Sequence, residues 1–255
     1  MPSATAQSIS PLRIVVTPVN GKAHLTISNP NEENRTIHLG WADLTALTNG
    51  TYRQSTVTER QNRSAAAFMT VGPAYFQLSP GESRRVSIAV RTEQAPQHVG
   101  EKRSHLVVKM THSNSPARKA AANLHLDIQR AVSVPVILRS GDIKAAGNSA
   151  RIEDVKLRRL PDGGLALDVL LARNGSHSLY GKLTVEGILH KNGRSQIIAE
   201  QNNIALYAEN TNRLVSFNLG LSRLPESAVS VTFEGIGEYA GNTFARRLFS
   251  VRAPE

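Results

Sequence analysis

Ser176 and His177 set a hydroxyl beside an imidazole, the two parts of an activated nucleophile. Neighbours on a strand point to opposite faces, so adjacency alone does not build that pair. The two read as a loop serine and an exposed histidine. The eight histidines are dispersed, and no pair has ligand-like spacing supported by a carboxylate. The chain has no cysteine, which removes disulfides, thiolate nucleophiles and Cys-based metal sites. No phosphate loop or dinucleotide fingerprint occurs. Asn34, Asn49, Asn62 and Asn174 head Asn-x-Ser/Thr triplets, each a common chance match. The expectation is a protein that is not an enzyme, with no metal and no cofactor.

The strongest pattern is one of shape. Between residues 124 and 138, Leu124, Leu126, Ile128, Val132, Val134, Val136 and Leu138 are apolar at every second position, with Arg130 as the one break. Period 2 marks a strand with one buried face. At about 3.3 Å per residue such a strand is roughly 50 Å long, well beyond the usual five or six residues. Part of it should be an exposed edge, a donor to another chain, or a bridge into a second domain. Pro135 lacks an N–H, which suits an edge.

The elements around this segment are also strands. Ala23, Leu25 and Ile27 alternate before an Asn29-Pro30-Asn31 turn, and Ile37, Leu39 and Trp41 alternate up to Asp43. Ser79-Pro80-Gly81 turns into Val86, Ile88 and Val90, and Leu106, Val108 and Met110 form a further strand. After Ser140-Gly141-Asp142 a second set begins. Leu165, Leu167, Val169 and Leu171 alternate, Lys191-Asn192-Gly193-Arg194 is a hairpin signal, and Val229, Val231 and Phe233 lie near the end. No segment carries a sustained 3.6-residue apolar stripe. Short strands with turn signals and no helices indicate β-sandwiches. The fold class is all-β, with one domain over 8–139 carrying the long strand and a second over 140–255. Two sandwiches joined by one strand imply a cleft at the join, a favoured place for binding.

Composition agrees with a folded chain. The 255 residues suffice for two ordinary domains, and 40% are hydrophobic. No apolar run approaches a membrane span, so no membrane insertion is expected. Pro2-Ser3-Ala4-Thr5-Ala6-Gln7 resembles the small-residue end of a cleavage site, and the chain reads as an exported protein without its leader. The net charge is +10, but the basic residues are scattered, with Arg84-Arg85, Arg158-Arg159 and Arg246-Arg247 as the pairs. They read as a solvated surface rather than a nucleic-acid groove, and 5% aromatic residues leave few stacking platforms.

Several motifs, in order, resemble the periplasmic pilus-assembly chaperones of the chaperone–usher pathway, in particular a divergent branch. Ile9-Ser10-Pro11-Leu12-Arg13-Ile14-Val15-Val16 resembles the family's first strand with its arginine, and Leu25-Thr26-Ile27-Ser28-Asn29 its second. Trp41-Ala42-Asp43 stands where the family has Trp-x-acid. Gly72-Pro73-Ala74-Tyr75-Phe76-Gln77-Leu78-Ser79-Pro80-Gly81 follows its Pro-Pro segment, with Gln77 for an arginine. Gly100-Glu101-Lys102-Arg103-Ser104-His105-Leu106 and Val134-Pro135-Val136-Ile137-Leu138-Arg139 resemble the two strands that follow. The second half matches mainly through Leu179-Tyr180-Gly181-Lys182-Leu183-Thr184-Val185 and Glu238-Tyr239-Ala240-Gly241.

The resemblance implies two immunoglobulin-like sandwiches in an L shape and a periplasmic location. It implies partners too: a pilus or fimbrial subunit and an outer-membrane usher. Its mechanism is donor-strand complementation, in which the chaperone lends a strand to an incomplete subunit sandwich. Leu124, Leu126 and Ile128 would be the donors, with Arg130 the interruption among them. Arg13 would hold the subunit's terminal carboxylate by a bidentate pair. The family's second anchor, a lysine, falls at Pro135 here, so the two-cation clamp is not reproduced. Arg139 resembles the interdomain arginine, with Glu238 as one acidic partner and Glu101 as the other, two residues from the family's position. A long apolar edge also invites a self-capping dimer of the free protein. The alternative reading is a structural cell-surface or appendage protein built from similar sandwiches.

Overall fold

The computed structural model describes residues 8–91, 100–112, 130–141, 147–188, 195–222 and 228–250. The chain forms two compact units. Unit 1 contains residues 1–44 and 54–140, and unit 2 contains residues 45–53 and 141–255. The assignment of all of 8–139 to one domain therefore needs amendment: residues 45–53 cluster with the second unit. Both units are β-sandwiches, as the alternating runs require.

Unit 1 packs two sheets. One has the order β1-β3-β9-β7, from Ile9–Ser10, Lys22–Ser28, Ser83–Val90 and Met69–Gly72. The other has the order β2-β11-β10-β4-β8, from Ile14–Val16, Arg130–Ser140, Gly100–His112, Arg35–Ala42 and Tyr75–Leu78. Alternation decides which side chains enter the core: Leu25 and Ile27 on β3 are buried, while His24 and Thr26 beside them are exposed. Leu25, Ile27, Val86, Ile88, Leu106, Val108, Val134 and Val136 are all fully buried in one cluster. Burying each such side chain contributes roughly 1.5–3 kcal/mol. The buried Asn29 amide donates to the carbonyls of Glu33, Leu78 and Ser79 at 2.8–3.1 Å, which ties two turns of the unit together.

One helix, α1 (Val57–Arg63), departs from the helix-free reading. It buries no residue, so it leaves no apolar stripe in the sequence. A capping box holds it instead: Thr56 accepts from the Glu59 N–H, and Glu59 accepts from the Thr56 N–H at 2.8 Å.

Unit 2 packs the sheet β12-β13-β16 (Ser149–Arg159, Leu165–Asn174, Asn212–Asn218) against β15-β14-β17-β18 (Ser195–Leu206, Leu179–Ile188, Ala228–Gly235, Thr243–Ser250). β14 and β15 pair antiparallel with Ile188 opposite Ser195, as a hairpin signal between them requires; the turn itself lies outside the described residues. Leu167, Val169, Leu183, Val185, Val231 and Phe233 are fully buried. Gly181 and Gly235 face each other on β14 and β17. A Cβ on Gly181 would lie 2.3 Å from the Glu234 carbonyl oxygen, and one on Gly235 would lie 2.2 Å from that of Tyr239.

Candidate functional site

The alternating segment is the natural place to look for a binding edge. β11 runs antiparallel to β10 from the Met110–Arg130 pair to the Gly100–Ser140 pair. Its other side meets β2 in parallel, and only through Ile14–Val136, Val15–Ile137 and Val16–Leu138. Along residues 130–135 that side of β11 has no strand partner among the described residues. An open strand edge presents a row of backbone donors and acceptors to another chain. Pro135 stands where β2 begins, consistent with a residue that has no N–H to give.

The side chains of β11 divide by face. Val134, Val136 and Leu138 enter the core of unit 1, and Val132 packs against it. Ala131 and Ser133 are exposed on the other face. The donor candidates Leu124, Leu126 and Ile128 lie outside the described residues. Arg130 begins β11. Arg13 is partly buried, one residue before the Ile14–Val136 pair, so the register of β2 brings it beside Pro135.

On the face of β11 away from the core, Ile137 and Arg139 are both fully buried. Arg139 is opposite Glu101, and its Nε donates to Oε1 of that carboxylate at 2.5 Å, with Nη2 at the same distance. A cation with no exposed surface requires such a partner. Glu238 is exposed in the 3-10 turn Gly237–Tyr239 of unit 2.

Two neighbours of Glu101 on β10 were not singled out in the sequence. The buried hydroxyl of Ser104 donates to Asp43 Oδ1 at 2.5 Å and accepts from the N–H groups of Ala65 and Ala66 at 2.9 and 3.0 Å. It thereby pins the segment after α1 onto β10. His105 is 1% exposed, and burial, with the Arg103 guanidinium nearby, pushes its pKa down to about 3. It is neutral at ordinary pH. The signal for both was the Gly-Glu-Lys-Arg-Ser-His-Leu run, but a sequence does not say which members of a run are buried.

The Ser176–His177 pair is structural. His177 is fully buried, which corrects its reading as an exposed histidine. Its N–H donates to Asn148 Oδ1 at 3.0 Å, and its carbonyl accepts from Arg173 Nη1 at 2.9 Å. Arg173 also reaches the carbonyls of Gly175, Ala208 and Asn210, closing two loops of unit 2 around one guanidinium. The buried Tyr239 hydroxyl donates to the Ser178 carbonyl at 2.7 Å. Among the described residues, no cluster of three His, Cys, Asp or Glu side chains is placed to hold a metal ion. No helix is long and apolar enough to cross a membrane. A groove of about 290 Å³ on the outer face of the β14 sheet is lined by Lys182, Glu186, Glu234 and Arg246 among others. Lys182 there is shared between Glu200 and Glu234 at 3.5 and 3.8 Å, so its charge is already answered.

No protein-family model matches the sequence, and no curated protein matches it. Solved structures do match. The YadV chaperone is similar over 95% of this chain and 98% of its own, with a TM-score of 0.50 and 9% identity. The E. coli chaperone DraB covers 96% of this chain and 95% of its own, at 0.48 and 13%. The Salmonella enterica SafB chaperone in complex with the SafA pilin gives 95%, 94%, 0.47 and 14%. At this identity the likeness to YadV is one of fold, and it extends over essentially the full length of both chains.

Proposed function

We propose that this protein is a periplasmic chaperone for pilus or fimbrial subunits, acting by donor-strand complementation and handing its client to an outer-membrane usher. The observation that carries the reading is the half-covered edge of β11, where β2 pairs with residues 136–138 and no described strand pairs with residues 130–135. Such an edge can take up a strand of another chain through backbone hydrogen bonds, with alternate side chains filling pockets. The fold likeness to the YadV chaperone supports the same reading. The motifs of the sequence stand in the order that this role expects.

In this mechanism Leu124, Leu126 and Ile128 fill the groove of a subunit sandwich that lacks its last strand. Each buried donor contributes on the order of 1.5–3 kcal/mol before ordering costs. Arg13 anchors the subunit's terminal carboxylate beside Pro135, and with one cation at that point the client is held more by shape than by charge. Arg139 and Glu101 form a buried ion pair within unit 1. The binding role is non-enzymatic and needs no cofactor.

The test is co-expression with the subunits encoded beside its gene, followed by mass spectrometry of what copurifies. A soluble one-to-one complex is expected, and Leu126→Glu should abolish it while leaving the thermal unfolding of the free protein unchanged. Capture that survives Leu126→Glu rules out the donor assignment. Self-assembly without any client favours an appendage subunit instead.

A further inference from the structure

Unit 2 contains a segment that the chain delivers from the middle of unit 1. Residues 45–53 cluster with unit 2, although residues 44 and 54 on either side belong to unit 1. Leu44–Ala46 and Tyr52–Gln54 pair as a two-stranded ribbon, β5 and β6. Its tip is closed by the Leu47 N–H on the Thr51 carbonyl at 2.8 Å and the Gly50 N–H on the Leu47 carbonyl at 2.9 Å. Asn49 Oδ1 accepts from the backbone and the hydroxyl of Thr51 at 3.1 and 2.8 Å. Gly50 has φ +83°, a conformation that a side chain strains.

We infer that unit 2 has a dedicated recognition site for a tight Asn-Gly hairpin, and that its ligand is this chain's own residues 45–53. The site is built by residues 207–214, and it reads the hairpin at five points. The Leu214 N–H donates to the Thr48 carbonyl at 2.7 Å, extending the edge of β16. Asn210 Nδ2 donates to the Ala46 carbonyl at 2.9 Å, and Glu209 Oε1 accepts from the Ala46 N–H at 3.2 Å. These two side chains satisfy both backbone groups of Ala46, which is 5% exposed. The Tyr52 hydroxyl donates to that of Tyr207 at 3.1 Å, with the rings 6.3 Å apart. The Arg213 guanidinium occupies the space a side chain at position 50 would need, with Nη1 1.5 Å from where a Cβ would stand.

Four of these contacts use backbone groups of the hairpin or the absence of a side chain on it. The site therefore selects the turn's shape, and it also meets the Tyr52 hydroxyl. Asn49-Gly50 supplies that shape: Asn49 closes on Thr51, and Gly50 takes the left-handed conformation and leaves room for Arg213. The hairpin gives the edge strand β16 a backbone partner at Leu214. Unit 2 is thus completed by a segment tied covalently at both ends to unit 1, and its stability depends on that segment. This inference stands apart from the chaperone reading.

Two measurements on the full-length chain test it. Gly50→Val removes the turn's permitted conformation and the seat of Arg213. Hydrogen exchange should then speed up tenfold or more at the Leu214 amide, while the Val86 and Ile88 amides of unit 1 keep their protection. Independently, a double-mutant cycle of Tyr52→Phe with Tyr207→Phe should be non-additive in denaturant midpoint, because the two hydroxyls satisfy one another. Unchanged exchange at Leu214 overturns the proposal, as does an additive cycle. If Gly50→Val unfolds the whole chain, the cycle decides alone.

Discussion

Arg139 and Glu101 are register partners across β11 and β10, and their side chains form an ion pair with 0% and 4% of their surfaces exposed. Direct opposition on one face is what an antiparallel pair provides, so the contact follows from backbone register rather than from long flexible reach.

Removing one partner should cost far more than removing both. Glu101→Gln or Arg139→Leu takes away one half of a buried ion pair, and a loss of about 3–5 kcal/mol in unfolding free energy is expected. The double variant Arg139→Met with Glu101→Leu should recover most of that loss. Denaturant titration of the four proteins checks this, and equal losses in single and double variants contradict it.

The buried neutral His105 makes stability fall in acid. Its pKa in the folded chain is pushed down to about 3, while an unfolded histidine titrates near 6.5. Its contribution is complete above pH 6.5. Below that the unfolded chain takes up a proton the folded chain refuses, and stability declines by up to about 1.4 kcal/mol per pH unit until the folded pKa is reached. His105→Gln should flatten this part of the pH–stability curve. Parallel curves for the two proteins would show that His105 is not its source.

Gly181 and Gly235 are required by crowding, not by backbone dihedral. Gly181→Ala puts a Cβ 2.3 Å from a backbone oxygen and 2.6 Å from the Phe233 ring. Overpacking of this kind costs roughly 1–3 kcal/mol. The expected result is a lower unfolding midpoint, with exchange protection lost first in β14 and β17. Gly220→Ala has open space around it but φ +64°, and should cost less.

Arg173 organises unit 2 through four backbone carbonyls, at 2.7, 2.9, 2.9 and 3.3 Å. Arg173→Ala should cost roughly 2–4 kcal/mol, since charge-assisted bonds are worth about 1.5–3 kcal/mol each and do not add. Arg173→Lys should recover little, because a single ammonium cannot span the fork. Limited proteolysis in the loops at 175–178 and 207–211 reports the effect; an Arg173→Lys variant as resistant as the parent refutes it.

Much of the fold was legible in the alternation. Leu25 and Ile27, Val86 and Ile88, and Val132, Val134 and Val136 all have period 2, and a strand with one buried face leaves that trace wherever it occurs. Helix α1 escaped because it buries nothing, although Thr56 and Glu59 stood at capping-box spacing. His177 misled for a related reason: its burial comes from loops closed by Arg173 and Asn148, and loop burial has no period. Residues 45–53 could not be assigned by position along the chain, because the residues that receive them lie at 207–214.

The all-β class, two sets of strands with a break near residue 140, and the long alternating segment before that break could be read from the residues alone. These are local properties, written in the spacing of apolar side chains and turn residues. It took the assembled fold to show that β2 covers part of β11, that Arg139 and Glu101 stand opposite one another in register, and that a hairpin from the first half clusters with the second unit. Each of those depends on which strands become neighbours and in what register. A pairing across many residues is settled by the collective burial of both partners, which no single stretch of chain encodes.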